Sequence, residues 1–141
     1  MTAHRPFHYE LHFAVRPEEI DVLGHVNNVV YVRWVEDVAV AHWKAAARAD
    51  HLENILWLMV RHEIDYKLSA LPGDDIIART WVGEPDGIRY PRHVELVRAA
   101  DGKLLARSLT LWCPIDAKTQ RLLRPPPADL DEGFFHPPVR P

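Results

Sequence analysis

Between Asn28 and Ala49 apolar residues fall at Val32, Val35, Ala39, Trp43 and Ala46, with Val29 and Val38 widening the stripe. That spacing follows one face of an α-helix of about twenty residues, long for so small a domain. Its first half is rich in valine, a mediocre helix former. Burial against other elements, more than intrinsic propensity, must therefore hold it. The segment is read as a central helix wrapped by a sheet, capped at its start by Asn27 or Asn28 and ended by 50–54.

The other apolar runs carry the period of strands. From His8 to Val15, Tyr9, Leu11, Phe13 and Val15 alternate with His8, Glu10 and His12. Four more strands are expected after the helix. The first spans 55–67, with Leu56, Leu58, Val60, His62, Ile64 and Tyr66 on one face. The next covers 75–83 after the turn Leu71-Pro72-Gly73-Asp74, and a third covers 88–98. In that third strand Tyr90, Arg92, Val94 and Leu96 share a face, and Pro91 points to an edge position or a bulge near its start. Asp101-Gly102 marks a hairpin into the last strand, which sets Leu105, Leu109, Leu111, Cys113 and Ile115 on one face. Short connections imply antiparallel pairing of these four. One helix segregated from five strands makes the class α+β. A polar arm at 1–7 and a proline-rich tail, with one or two helical turns at 128–135, flank a single domain over 1–141 whose core is about 8–135.

Composition narrows the partners. A net charge of -3 with no long basic run disfavours nucleic acid and anionic membranes. One cysteine, Cys113, excludes an internal disulfide framework and fits a reducing compartment. No apolar run reaches the roughly 18 residues of a membrane span, and no signal-peptide layout opens the chain. A cytoplasmic protein is expected.

The residues just ahead of the helix, Asp21-Val22-Leu23-Gly24-His25-Val26-Asn27-Asn28-Val29-Val30-Tyr31, hold more polar groups than a cap requires. With Trp34 and Glu36 following, with Ile64-Asp65-Tyr66-Lys67, Gly73-Asp74 and Ile115-Asp116 with Arg121 later, the chain resembles the hotdog-fold acyl-CoA thioesterases of the 4-hydroxybenzoyl-CoA thioesterase type. Glu19 also matches an acidic residue that the family often carries two positions before the motif aspartate. The resemblance implies a curved antiparallel sheet around a long helix and hydrolysis of an acyl-CoA. It places Asp21 as nucleophile or general base. It further implies a dimer or tetramer with active sites at the subunit interface.

A thioester carbonyl needs an attacking group and donors for the oxyanion. Asp21 supplies the first, and the backbone N–H near Asn28, at the positive end of the helix dipole, supplies the second. The plain alternative is that Asp21 only satisfies loop amides. Gly24 lets backbone approach the acyl group. His25 orients Asp21, contacts substrate or bonds within the loop. Asn27 is a cap or a ligand contact. Tyr31 lines the pocket or packs in the core. Glu36 approaches the acyl site or stays solvated or at an interface. His62 touches substrate or is a satisfied core histidine. His4, His8 and His12 recur at every fourth position, but on an arm and strand they do not converge, so no metal is expected. No cofactor is expected beyond the CoA of the substrate; Arg89, Arg92, Lys67 and Arg107 are candidates for its phosphates or are scattered surface charge. The competing activities are hydrolysis of acyl-carrier-protein thioesters and a non-catalytic acyl-binding module. A dehydratase is disfavoured, for its histidine and helix-borne carboxylate arrangement is not found.

Overall fold

A computed structural model describes residues 7–135, so His4 and the tail beyond 135 lie outside the described residues. The chain runs β1 (Tyr9–Ala14), a 3-10 turn (Pro17–Glu19), α1 (Asn28–Ala46), α2 (Ala49–Asn54), β2 (Ile55–Tyr66), β3 (Asp75–Val82), β4 (Tyr90–Arg98), β5 (Leu104–Asp116) and α3 (Glu132–Phe135). The strands form one sheet in the order β1-β3-β4-β5-β2, antiparallel throughout. With α1 packed on it, the α+β hotdog architecture is present. Among the described residues no helix is long and apolar enough to cross a membrane.

The valine-rich stripe behaves as its composition demands. Tyr31, Trp34, Val35 and Val38 of α1 are buried against Ile76, Ala78, Val94 and Leu96 of the sheet. Each large side chain buried there contributes about 2 kcal/mol by removal from water. Tyr9, Leu11 and Phe13 pack on the same core, so β1 keeps the expected alternation. The helix stops at Ala46, short of Ala49, where Ala47 turns extended (φ -77, ψ 149). α3 closes the end: a Cβ on Gly133 would lie 2.0 Å from the Ala46 carbonyl oxygen. Residues 50–54 belong to α2, a second short helix, instead of a simple stop.

The strand readings need four corrections. β2 does not pair with its successor; it pairs with β5 and forms the edge opposite β1. The 67–74 segment instead crosses by way of the start of α1. There the buried Ala70 accepts from the Val26 N–H (2.9 Å) and donates its own N–H to the Tyr31 hydroxyl (2.8 Å).

Second, β2 changes phase at Val60, the residue left over between the pairs Met59↔Trp112 and Arg61↔Leu111. Leu56, Leu58 and Val60 therefore face outward and exposed, while His62 and Ile64 turn inward. Third, β5 presents Ala106, Ser108 and Thr110 to the helix, in register with Leu96, Val94 and Arg92. Leu109 and Leu111 alternate with these and lie on the other face. Fourth, β4 is an inner strand, and its irregularity lies at Leu96/Val97, far from Pro91. The Pro91 carbonyl accepts from Gly83 N–H (3.0 Å) just past the end of β3. The missing proline N–H lies on that same side, where β3 no longer asks for a donor.

Candidate active site

The loop ahead of α1 is a small closed turn. Ile20 bridges Val26, Asp21 N–H donates to the His25 carbonyl (2.9 Å), and Gly24 N–H donates back to the Asp21 carbonyl (3.0 Å). Gly24 closes the turn at φ +82, a conformation that costs other residues strain. Asn27 is the N-cap: its side-chain oxygen accepts from Val29 N–H (3.0 Å).

Glu19, buried despite its charge, fastens this loop to the helix. It accepts from Arg16 N–H (2.7 Å) and Trp34 Nε1 (3.3 Å) and pairs with the Arg33 guanidinium. Its backbone carbonyl takes Asn27 N–H (3.0 Å). A buried carboxylate is tolerable only with such a full set of donors.

Held this way, Asp21 uses one carboxylate oxygen, Oδ1, to accept from Leu23 N–H (2.8 Å), with His25 Nδ1 4.0 Å from the same oxygen. Oδ2 accepts no hydrogen bond among the described residues. The Asn28 N–H is likewise unengaged there, as the first N–H of a helix commonly is. Its carbonyl accepts from the Tyr66 hydroxyl (3.1 Å), which ties the end of β2 to the helix start.

The other predicted residues distribute differently. Tyr31 is turned into the core, its ring against Trp34 and Tyr66, and burial raises its pKa. It positions the 67–74 crossing and lines neither cavity. His62 is inward and its pKa is lowered by burial, but its buried Nε2 has no partner among the described residues, so it is not a satisfied core histidine there. His8 stacks on Trp81 and His12 bonds Glu10, away from any shared centre. Of the cations assigned to phosphate, Lys67 and Arg89 are exposed and Arg107 pairs with Glu95 (3.4 Å). Arg92 is buried and belongs elsewhere.

A cavity of about 470 Å³ lies beside the C-terminal half of α1. Its walls are aromatic: Trp43, Trp57, Tyr90, Trp112 and Phe134. Exposed Glu36, Val40 and Lys44 mark its mouth, and buried Arg92 lines its inner end. Glu36 lies eight residues beyond Asn28, about 12 Å along the helix axis. Asp21 and Asn28 do not line this cavity within one copy, nor a second one of about 490 Å³ over Glu19, Arg33 and Asp37.

The sequence reads Arg92 as a candidate phosphate ligand; its burial is a correction, and its neighbour His42 is the group that the sequence reading missed. Arg92 Nη1 donates to His42 Nδ1 (2.9 Å) and Thr80 Oγ1 (3.0 Å), and the guanidinium carbon sits 5.1 Å from the Phe134 ring centre. Burial pushes the Arg92 pKa down to about 9 and that of His42 down to about 3, the latter with help from the Arg92 charge. A signal existed: His42 falls in the apolar stripe, three and four residues after Ala39 and Val38. Arg92 shares the buried face of β4 with Tyr90, Val94 and Leu96.

Comparison with known proteins agrees with this fold. Residues 15–134 match the model of the thioesterase-like superfamily. The long-chain acyl-CoA thioesterase FadM of Escherichia coli is 26% identical over 114 residues, covering 77% of this chain and 84% of that protein. Two solved structures share the fold. The dynemicin thioesterase superposes with a TM-score of 0.80 at 20% identity, covering 96% of this chain and all (100%) of the other. The 1,4-dihydroxy-2-naphthoyl-CoA thioesterase Slr0204 of Synechocystis gives 0.72 at 16%, covering 85% and 90%. A sheet wrapped on one helix, a loop aspartate beside that helix's free N-terminus and a family match over most of its length together make this chain a member of the thioesterase-like superfamily.

Proposed function

We propose that the protein hydrolyses an acyl-CoA thioester to the free acid and CoA, with Asp21 as nucleophile or general base. The observation that carries this reading is the presence, in one hydrogen-bonded turn and the helix start that follows it, of a carboxylate oxygen and a helix-terminal N–H that no other described group engages. The Asn28 N–H polarises the carbonyl and holds the oxyanion. Asp21 either attacks the carbonyl and expels the CoA thiolate, giving an anhydride that water opens, or takes the proton of an attacking water whose tetrahedral adduct then expels the thiolate. His25 is near enough to orient the carboxylate. Neither step draws on a cofactor.

The active unit is a homodimer or a dimer of dimers. Val22, Leu23 and Val29 surround the loop with exposed apolar surface, and β2 carries Leu56, Leu58 and Val60 exposed on an open edge. A second copy covering both brings the Asp21 loop of one chain to the cavity of the other. Glu36 at the mouth then meets the acyl group as it enters. The likeness to a long-chain acyl-CoA thioesterase supports CoA as the carrier. Lys44 at the mouth is matched by Glu36, which gives an acidic carrier protein little basic surface to dock on.

The test is thiol release from aryl-, short-chain and long-chain acyl-CoAs by wild type, Asp21→Asn and Asp21→Ala. Both variants should fold normally and lose about 10³-fold in kcat. Equal rates in all three proteins sink the assignment of Asp21. Release from acyl-carrier-protein substrates alone transfers the activity to that rival, and binding without release leaves an acyl-binding module. Single turnover in labelled water distinguishes the two routes, since only the anhydride leaves label in the Asp21 carboxylate.

A further inference from the structure

Arg92 is a buried cation without a counter-charge. Its exposure is 6%, and among the described residues no carboxylate pairs with it. The three groups around it are neutral: the His42 imidazole, which burial keeps unprotonated, the Thr80 hydroxyl and the Phe134 ring. A guanidinium has five N–H donors. The two bonds to His42 and Thr80 both leave from Nη1, so the three donors on Nε and Nη2 have no acceptor among the described residues. Those remaining groups form the edge that grips a carboxylate with two parallel hydrogen bonds.

The surroundings of the side chain are themselves hydrogen-bonded. Thr80 Oγ1 is fixed by its own bond to the His93 carbonyl (2.8 Å), and the Arg92 carbonyl accepts from Thr110 Oγ1 (3.3 Å). Where the fold itself needs a buried charge, as at Glu19, it supplies the opposite charge from within the chain. At Arg92 it supplies an aromatic cavity instead.

Resting on the proposed acyl-thioester reading, we infer that Arg92 selects substrates whose acyl group ends in a carboxylate, which it binds at the inner end of the cavity. The aromatic walls take the carbon chain, and Arg92 takes the far end. A chain ending in methyl leaves the cation unpaired and is the poorer substrate, because a desolvated charge gains most from the partner it lacks.

The experiment compares matched acyl groups of four to twelve carbons that end in methyl or in carboxylate, as CoA thioesters for hydrolysis. The same pairs, made as pantetheine thioethers, are used for calorimetric binding. Thioethers cannot be hydrolysed and carry the arm that CoA and carrier proteins share, so they report on the cavity whatever becomes of Asp21. At the best length, the carboxylate-ended ligand should bind wild type about 30-fold tighter than its methyl partner. The thioester pair should show the same ratio in kcat/KM. Arg92→Met should erase the preference, and Arg92→Lys, which keeps the charge without the fork, should retain part of it. Equal or weaker binding of the carboxylate ligand at every length, binding of neither, or a preference that survives Arg92→Met overturns the inference. The wild-type comparison needs no substitution, so it decides even if a variant folds poorly. Arg92-dependent binding without hydrolysis of any thioester would support the cavity assignment and defeat only the hydrolase reading.

Discussion

The two ends of α1 each bury a charge, and they treat it in opposite ways. At the N-terminal end Glu19 is surrounded by Arg33, Trp34 Nε1 and Arg16 N–H, all from the same chain. At the C-terminal end Arg92 meets only neutral groups and an open cavity. A buried charge with its full complement of partners holds a loop in shape; one without them is reactive toward whatever arrives. The first end is therefore the place to look for fixed geometry, and the second for selectivity.

The largest effect that would break this contrast is expected at Glu19. Glu19→Ala leaves Arg16 N–H and Trp34 Nε1 without an acceptor and should cost about 3 kcal/mol in urea unfolding. The loop that carries Asp21 should loosen with it and turnover should fall. An unchanged midpoint would mean that the fold does not depend on Glu19 and would remove the contrast between the two ends.

Acid sharpens the other end. His42 is neutral in the fold with a pKa near 3 against 6.5 unfolded, so between those values the unfolded chain binds one more proton. Its contribution to stability is complete above pH 6.5 and is lost as pH falls toward 3. At pH 5 the loss should be about 2 kcal/mol, and His42→Gln, which keeps an acceptor for Arg92, should remove that part of the acid sensitivity. Parallel pH profiles for the two proteins would disprove the assignment. The smallest effect is the cap: Asn27→Ala frees Val29 N–H and should cost about 1 kcal/mol, with no change in acyl-chain preference. A shift in that preference would couple the two ends more tightly than the separation along the helix allows.

What the sequence made legible was short-range. The buried positions Val35, Val38, Ala39 and Ala46 and the cap at Asn27 depend on residues a few positions apart and stand where they were expected, whereas Val29, read into the same stripe, is exposed. What stayed hidden depended on register between distant segments. The alternation that seats Tyr90, Val94 and Leu96 inward carries Arg92 inward too, yet arginine's usual preference for water suggests a surface role. The phase of β2 was hidden as well, since Val60 looks like any other strand valine until β5 is laid beside it. Tyr31 sat in the right motif, but only the crossing through Ala70 gives its hydroxyl a partner in the core.

Val60 is the extra residue of β2. Its flanking partners Trp112 and Leu111 are adjacent on β5, so Val60 is the one residue of the strand whose loss would close the bulge and leave every other pairing and facing unchanged. Tyr66 would still reach the Asn28 carbonyl. The bulge is a residue of slack, and it lets the outward Leu56 and Leu58 and the inward His62 and Ile64 share one strand.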